Sequence, residues 1–356
     1  MTPKSKALDA PFPWFGGKRK VAHEVWTRFG DVANYVEPFF GSGAVMLKRP
    51  TPWTGNETIN DLDGYIANFW RAIKSAPDET AEWADNPVVE NDLHARHVWL
   101  VKQRESLRER LDGDPEFYDA KIAGWWVWGI CCWIGGGFCS GKGPWWPDEE
   151  GRLVKGGSGS GVKRSRVHLG DSGRGVNRKL VHMGVKRQLV HLGSSGAGVN
   201  RKIVHLGASG SGRLVPWFEA LAARLARVRV CSGDWSRVCG PSVTFKHGLT
   251  GVFLDPPYAD TAKRDSNIYR MDSESVAHDV REWAIANGDN PLLRIALCGY
   301  EGEHTMPESW ECMAWNAGAG YGVLAVERTE NGKRERIWFS PHCLAARRLQ
   351  QEALTL

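Results

Sequence analysis

Short apolar runs alternate with amphipathic stretches along this chain. The clearest run, 252–254, ends in the Asp-Pro-Pro-Tyr stretch 255–258. Because proline lacks an amide donor and restricts the residue before it, this pattern predicts a buried strand that stops at the acid. Residues 35–37 form a second apolar strand that ends in an acid. The same reasoning predicts strands over 294–300 and 334–341 and helices over 63–74 and 274–286. Strands that alternate with helices favour a doubly wound α/β sheet.

The strand that ends at Asp255 carries the candidate chemistry. Ligands of open α/β sheets bind at the carboxyl ends of the strands, so we expect Asp255 and Tyr258 to stand together at a crevice. A hydrogen-bond acceptor beside a flat aromatic face suits a planar base that carries an amino group. The alternative interpretation is a turn in which Asp255 caps and Tyr258 packs. After the other strand, Gly41 and Gly43 predict a tight turn that lets the backbone approach a ligand, followed by a helix over 44–47.

Three further stretches fall in order along the chain. Residues 12–18 read Phe-Pro-Trp-Phe-Gly-Gly-Lys, residues 59–63 read Ile-Asn-Asp-Leu-Asp, and residues 231–235 read Cys-Ser-Gly-Asp-Trp. With the two motifs above, they resemble the Dam-like DNA adenine methyltransferases, which depend on S-adenosylmethionine, over roughly 11–75 and 216–342. The resemblance implies a Rossmann-like methyltransferase sheet with an inserted target-recognition domain. It also implies that S-adenosylmethionine is bound by Trp14, Lys18, Glu37, Gly41, Gly43, Asp61, Asp234 and Trp235.

The resemblance further implies a mechanism for transfer of a methyl group to the N6 amine of adenine in double-stranded DNA. The carboxylate of Asp255 and the backbone carbonyl of Pro256 would accept the two amine hydrogens, while Tyr258 stacks on the ring. The target base must be flipped out of the duplex, at a cost of a few kcal/mol. Two alternatives remain open: a cytosine-N4 DNA methyltransferase, in which Ser more often stands in place of Asp255, and a catalytically inactive DNA-binding protein on the same fold.

Positive charge is concentrated in the middle of the chain. Residues 151–215 contain 13 Lys or Arg and one acid, a net charge of +12, so the rest of this +5 chain carries −7. A basic segment in an otherwise acidic protein indicates a polyanion partner, here DNA. Short Val-His-Leu/Met-Gly and Gly-Val-Asn/Lys-Arg units repeat within it, and the alternative interpretation is a flexible basic linker. The candidate DNA-binding residues are Lys163, Arg164, Arg178, Lys179, Lys186, Arg187, Arg201 and Lys202.

Length and spacing suggest the domain organisation. A chain of 356 residues exceeds the usual single domain, so we predict a discontinuous catalytic domain, 1–75 and 216–345, an inserted recognition domain, 76–215, and a tail, 346–356. The eight cysteines show no metal-ligand spacing, and four histidines in the repeats lack a Cys or carboxylate, so no metal is predicted. We expect a cytoplasmic monomer. The uncharged run 122–141 predicts a buried helix that leads into a glycine loop rather than a membrane span.

Two departures from the family pattern bear on the target sequence. Pro13 precedes Trp14 where well-studied members that methylate short palindromes have a lysine, and their Asn-Gly-x-x-Arg stretch is absent around 133–141. The repeat-bearing insert resembles that of phage and prophage members. The sequence therefore predicts a relaxed or different specificity, with protection of phage DNA against restriction as a role.

Overall fold

A single sheet with helices on both faces forms the frame of the protein. The computed structural model describes residues 8–14, 18–133, 138–139, 145–147, 153–155, 214–258, 275–315 and 334–345. The helices are α1 (Ala22–Phe29), α2 (Gly64–Ser75), α3 (Pro77–Ala84), α4 (Glu90–Gly113), α5 (Ala120–Cys132), α6 (Leu214–Leu225) and α7 (Val276–Asn287). The strands are β1 (Asn34–Glu37), β2 (Asn56–Asp61), β3 (Trp145–Pro147), β4 (Leu153–Lys155), β5 (Val228–Ser232), β6 (Thr250–Leu254), β7 (Leu293–Tyr300), β8 (Glu311–Ala314) and β9 (Glu335–Phe339).

Seven of these strands pair in the order β5-β2-β1-β6-β7-β9-β8 within the described residues. The first five are mutually parallel, whereas β9 runs antiparallel to both of its neighbours, β7 and β8. Strands β3 and β4 form a separate antiparallel hairpin. The chain enters the sheet at its centre with β1 and then forms β2 and β5 on one side of it. Strand β6 pairs with β1 on the other side. The carboxyl ends of β1, β2 and β6 therefore lie side by side.

Apolar side chains of the central strands point alternately to the two faces of the sheet, and helices pack on both faces. In β6, Phe253 packs with the aromatic side chains of α1, α2, α5 and α6, whereas Val252 and Leu254 pack with α7. In β7, Ala296 and Cys298 face the first layer, and their neighbours face the second. Since successive side chains of a strand point to opposite faces, helices are needed on both sides. The predicted doubly wound α/β sheet is confirmed.

Two of the helices start at a capping side chain. The carboxylate of Asp63 accepts a hydrogen bond from the backbone amide of Tyr65 at the start of α2, and that of Asp119 accepts one from Ile122 at the start of α5. Such caps satisfy amides that have no partner inside the helix. The predicted helices over 63–74 and 274–286 are present as α2 and α7, the second without a side-chain cap.

The predicted helix over 44–47 was wrong. After Gly43 the chain makes only a single 3-10 turn, Met46–Lys48. Pro50 follows two residues later, and because proline can neither donate to nor fit inside a helix, it prevents the turn from growing. The chain instead crosses directly to β2.

Helices α3, α5 and α6 pack against α2 and share its hydrophobic core. Helix α5 contains the first part of the uncharged run 122–141 and is almost wholly buried, as predicted, while the glycines at 135–137 lie outside the described residues.

In the part of the chain that the structure describes, no helix has both the length and the apolar character needed to span a membrane. The division into a catalytic domain and an insert at 76–215 stays a prediction.

A buried charge cluster fixes α6 to the amino-terminal half of the sheet. The carboxylate of Glu57, near the start of β2, accepts hydrogen bonds from Arg224 of α6 at 2.6 and 2.8 Å and from Arg49 at 3.2 Å. The indole of Trp53 lies 4.7 and 4.6 Å from the two guanidinium groups. We refer to Arg49, Glu57, Arg224 and Trp53 as the amino-edge cluster. It locks the segment that follows residue 213 onto the sheet.

Candidate active site

Three acidic residues end three neighbouring parallel strands. Glu37 is the last residue of β1, Asp61 is the last residue of β2, and Asp255 follows β6 directly. Because these strands are adjacent and parallel, the acids meet at one edge of the sheet. Ligands of doubly wound folds bind at this edge.

An open cleft lies at this edge, with about 710 Å³ of empty space that includes open solvent. The cleft brings together five of the residues predicted from the sequence, Trp14, Asp61, Asp234, Trp235 and Asp255. The other described residues that line it are Pro38, Phe39, Leu62, Asp63, Gly233, Pro257 and Val276.

The glycine turn after β1 lies against Trp14, one of the residues that line the cleft. Gly41 and Gly43 have φ angles of +48° and +69°, which favour glycine. A Cβ atom on Gly41 would collide with the indole of Trp14, and one on Gly43 would lie 2.6 Å from the ring of Phe40. The indole nitrogen of Trp70 donates to the carbonyl of Gly41 at 2.9 Å. The turn is therefore held in place, and Trp14 lies directly against its backbone.

Asp61 and Asp234 each organise the loop that they begin. The two carboxylate oxygens of Asp61 accept hydrogen bonds from the backbone amides of Gly41 and Asp63, both at 2.9 Å. Asp234 accepts hydrogen bonds from the amide and hydroxyl of Ser236 and caps a 3-10 turn. The ring of Trp235 stacks on Phe39, with ring centroids 6.3 Å apart. The cleft thus presents carboxylates fixed by backbone amides beside an aromatic wall.

Asn60 connects the loops of two strands beneath the cleft. Its side-chain amide donates to the carbonyl of Pro38 at 3.1 Å and to the carbonyl of Gly233 at 2.9 Å. The amide of Gly233 in turn donates to the carbonyl of Asp61 at 3.1 Å. These bonds hold the ends of β1, β2 and β5 in one arrangement, so that the wall of the cleft is preorganised.

A buried cluster of four polar side chains surrounds the Asp-Pro-Pro-Tyr stretch. The ammonium of Lys18 lies 2.9 Å from Oδ1 of Asp255 and donates to the hydroxyl oxygen of Tyr258 at 2.9 Å. The hydroxyl of Tyr258 donates to Oε2 of Glu335 at 2.6 Å, and Lys18 lies 3.8 Å from the same oxygen. We call these four residues the Lys18 cluster. The side chains of Lys18, Asp255 and Glu335 are 5%, 14% and 4% exposed.

Burial and charge set the ionisation of the Lys18 cluster. Burial alone would lower the pKa of Lys18, but the charges of Asp255 and Glu335 outweigh burial and hold the pKa well above its ordinary value. Burial raises the pKa of Asp255 and of Glu335, and Lys18 offsets part of each rise. Burial and the two carboxylates also raise the pKa of Tyr258 well above its ordinary value. Tyr258 therefore keeps its hydroxyl proton and acts as a donor.

Six predicted site residues are not among the described residues that line the cleft: Lys18, Glu37, Gly41, Gly43, Pro256 and Tyr258. Glu37 is buried, and its carboxylate accepts a hydrogen bond from the hydroxyl of Tyr35 at 2.7 Å. Burial raises the pKa of Glu37 well above its ordinary value. Lys18 contacts the Asp-Pro-Pro-Tyr stretch and is not among the described residues that line the cleft. Pro256 lies between two residues that line the cleft.

A protein-family model matches the amino-terminal part of the chain. Residues 14–116 match the model of the D12 class N6 adenine-specific DNA methyltransferases. Over this stretch, which is less than half of the chain, the sequence is similar to that family. The match includes Trp14, Lys18, Glu37, the glycine turn and Asp61, and it ends before Asp255. A comparison with curated proteins finds no match.

This methyltransferase is therefore an enzyme that transfers a methyl group to the N6 amine of adenine in DNA. S-adenosylmethionine supplies that group as a methyl on a positively charged sulfur. The cleft suits such a donor, because Asp61 offers a carboxylate at the position where nucleotide-binding folds hold a ribose, and Trp14 and Trp235 offer apolar ring faces. Among the described residues, no group of three or more His, Cys, Asp or Glu could hold a metal ion.

The sequence analysis missed one member of the Lys18 cluster. Glu335 begins β9, where it shares the first face of the sheet with Ile337 and Phe339. The signal was present in the sequence, since an acid at a position that alternation assigns to the core demands a partner. Alternation could not identify that partner, because Tyr258 and Lys18 are 77 residues and more than 300 residues away.

The candidate DNA-binding residues, all between 163 and 202, lie outside the described residues, and so do the four histidines of the repeats. Their assignment continues to rest on the charge and repetition of the sequence.

Proposed function

We propose that the methyl donor and the target adenine meet in the cleft, with Asp255 as the group that faces the amine. Trp14, Gly41, Gly43, Asp61, Asp234 and Trp235 would hold the donor, and Glu37 would support the strand end beneath it. The observation that carries this proposal is that Asp255 lines the same cleft as Trp14, Asp61, Asp234 and Trp235. One cavity thus contains four of the proposed donor-binding residues and a carboxylate.

The chemistry of the amine explains why a carboxylate is needed. The lone pair of N6 is delocalised into the adenine ring, so the amine is a poor nucleophile until its hydrogens are held by acceptors. Lys18 and Tyr258 both contact Oδ1 of Asp255, which leaves Oδ2 without a hydrogen-bond partner among the described residues. Oδ2 and the carbonyl of Pro256 would accept the two amine hydrogens, and the ring of Tyr258 would stack on the base. The negative charge of Asp255 then stabilises the positive charge that develops on N6.

The substrate in this proposal is double-stranded DNA from which the target base is flipped. The amine is paired inside a duplex, so the base must leave the helix, and phosphate contacts must repay the cost. The basic segment 151–215 is the source of such contacts, through Lys163, Arg164, Arg178, Lys179, Lys186, Arg187, Arg201 and Lys202. Because one chain supplies both the cleft and Asp255, a monomer suffices. All eight cysteines are free, which agrees with a reducing cytoplasm.

Substitution of Asp255 tests the proposal. Asp255→Ala should abolish methylation of adenine-containing duplexes and leave donor affinity, measured by calorimetry, within a few-fold of the wild type. Asp31→Ala is a matched control, because Asp31 is exposed and precedes β1, at the end of the strand opposite to the cleft. Turnover of Asp255→Ala at the rate of the wild type would refute the assignment.

A further inference from the structure

Glu335 is the one member of the Lys18 cluster to which the proposed mechanism gives no role. It is 4% exposed and does not line the cleft in the described part of the chain. Placing a carboxylate at this depth is costly unless it is hydrogen-bonded and paired. Its carboxylate accepts the hydroxyl of Tyr258 and lies beside Lys18, and both of these residues also contact Asp255.

The hydrogen bonds of Tyr258 are unequal. A phenol has one hydrogen to donate, and the phenol oxygen lies 2.6 Å from Oε2 of Glu335 but 3.5 Å from Oδ1 of Asp255. The bond to Glu335 is short and charge-assisted, the stronger kind. The phenol oxygen accepts from Lys18 at 2.9 Å, so its orientation is fixed from both sides. The ring of Tyr258 also packs edge-to-face with that of Tyr300, with centroids 4.5 Å apart.

We propose that Glu335 is a positioning residue for methyl transfer: by accepting the hydroxyl of Tyr258, it keeps that hydroxyl from Asp255 and fixes the ring that stacks on adenine. Without Glu335, the nearest alternative acceptor of the hydroxyl is Asp255, the group that must face the amine. Glu335 also shares the charge of Lys18, which would otherwise bear on Asp255 alone. This inference rests on the proposed role of Asp255.

The register of the sheet explains how Glu335 reaches this position. Glu335 pairs directly with Tyr300 at the end of β7, and β7 is the neighbour of β6, which leads into Asp255. Because β9 runs antiparallel to β7, its first residue lies beside the last residue of β7. The reversal of this strand therefore brings the start of β9, rather than its end, to the edge of the sheet that holds the cleft.

Steady-state kinetics of the full chain test the proposal. Glu335→Ala should lower kcat roughly 10- to 100-fold, the effect of losing a charge-assisted hydrogen bond, while donor affinity stays unchanged because Glu335 does not line the cleft. Glu335→Gln keeps an acceptor oxygen of the same shape and should restore most of the loss, to roughly 3- to 10-fold below the wild type. Glu311→Gln, which removes a carboxylate of the neighbouring strand β8, should leave kcat unchanged.

A double-mutant cycle separates positioning from a general effect on folding. If Glu335 acts through the hydroxyl of Tyr258, then Glu335→Gln in a Tyr258→Phe background should change kcat by less than about two-fold, because the two effects are not additive. Additive losses, or a Glu335→Gln enzyme no better than Glu335→Ala, would overturn the proposal. Active Asp255→Ala enzyme would overturn the proposed active site itself, so the two failures are distinguishable.

Discussion

Removal of the charge of Lys18 is the sharpest perturbation of this molecule. Lys18→Met keeps the length and much of the volume of the side chain but removes its ammonium. Asp255 and Glu335 then remain in a buried site without the cation that lies 2.9 and 3.8 Å from them. We expect a large loss of stability and a change in how stability depends on pH.

The magnitude follows from the two distances. At an effective dielectric constant of about 20, unit charges at these separations attract by about 4 to 6 kcal/mol each. The variant also avoids the cost of burying the ammonium, several kcal/mol. The difference is a net destabilisation of about 3 to 5 kcal/mol at neutral pH, as is usual when one partner of a buried ion pair is removed.

The sign of the pH dependence is fixed by the raised pKa values of Asp255 and Glu335. A carboxyl whose pKa is higher in the folded state favours folding when protonated, and that contribution is lost as pH rises through the folded pKa. Without Lys18 both pKa values rise further. The loss of stability in the variant should therefore shrink as pH falls toward about 5, by at most about 1.4 kcal/mol per pH unit and per carboxyl.

Urea unfolding at about pH 8 and about pH 5.5 measures both effects. Lys48→Met is the matched control, because Lys48 lies 3.0 Å from Asp9 in a pair of which Asp9 is 49% exposed. Such surface pairs contribute about 0 to 1 kcal/mol. A Lys18→Met variant no less stable than Lys48→Met, or one whose loss grows on acidification, would refute this reasoning.

Two further predictions concern the donor and the DNA. Asp61→Ala leaves the amide of Gly41 without its acceptor, and Gly43→Val forces a side chain onto Phe40 at a φ of +69°. Each substitution should weaken donor binding, measured by calorimetry, by roughly ten-fold or more. Unchanged affinity in both variants would mean that the cleft is not the donor site. Replacing 156–212 by a short Gly-Ser linker should weaken binding to every DNA sequence and leave donor affinity unchanged. If half of the cationic side chains of the insert reach phosphates, the slope of log affinity against log salt should also become flatter by roughly 5 to 6 units. An unchanged slope would indicate a passive linker.

The central strands and Asp255 were predictable because their signals are local. An apolar run closed by Pro-Pro identifies both the strand and the residue at its end, and the parallel order of β1, β2 and β6 then places Asp61 near Asp255. The helix after Gly43 was predicted wrongly because its apolar pattern continues until Pro50, whose effect on the turn before it was not weighed.

Contacts between distant parts of the chain could not be predicted. The reversal of β9 between β7 and β8 depends on pairing that no single segment specifies. The donor contact expected of Lys18 stays a prediction, and the sequence did not predict the bonds of Lys18 to Asp255 and Tyr258. The partners of a buried lysine depend on which distant residues the fold brings next to it, and no local sequence pattern specifies them.

The amino-edge cluster lies at the end of the sheet opposite to the cleft, so residues that stabilise the fold are distant from the proposed site of reaction. Glu57 and Asp61 lie on the same strand, four residues and about 13 Å apart. Substitutions around Arg49, Glu57 and Arg224 therefore change stability without reaching the cleft. Such variants can compensate for costly changes at the other edge, so specificity can evolve, or be engineered, in a chain that keeps a reserve of stability elsewhere.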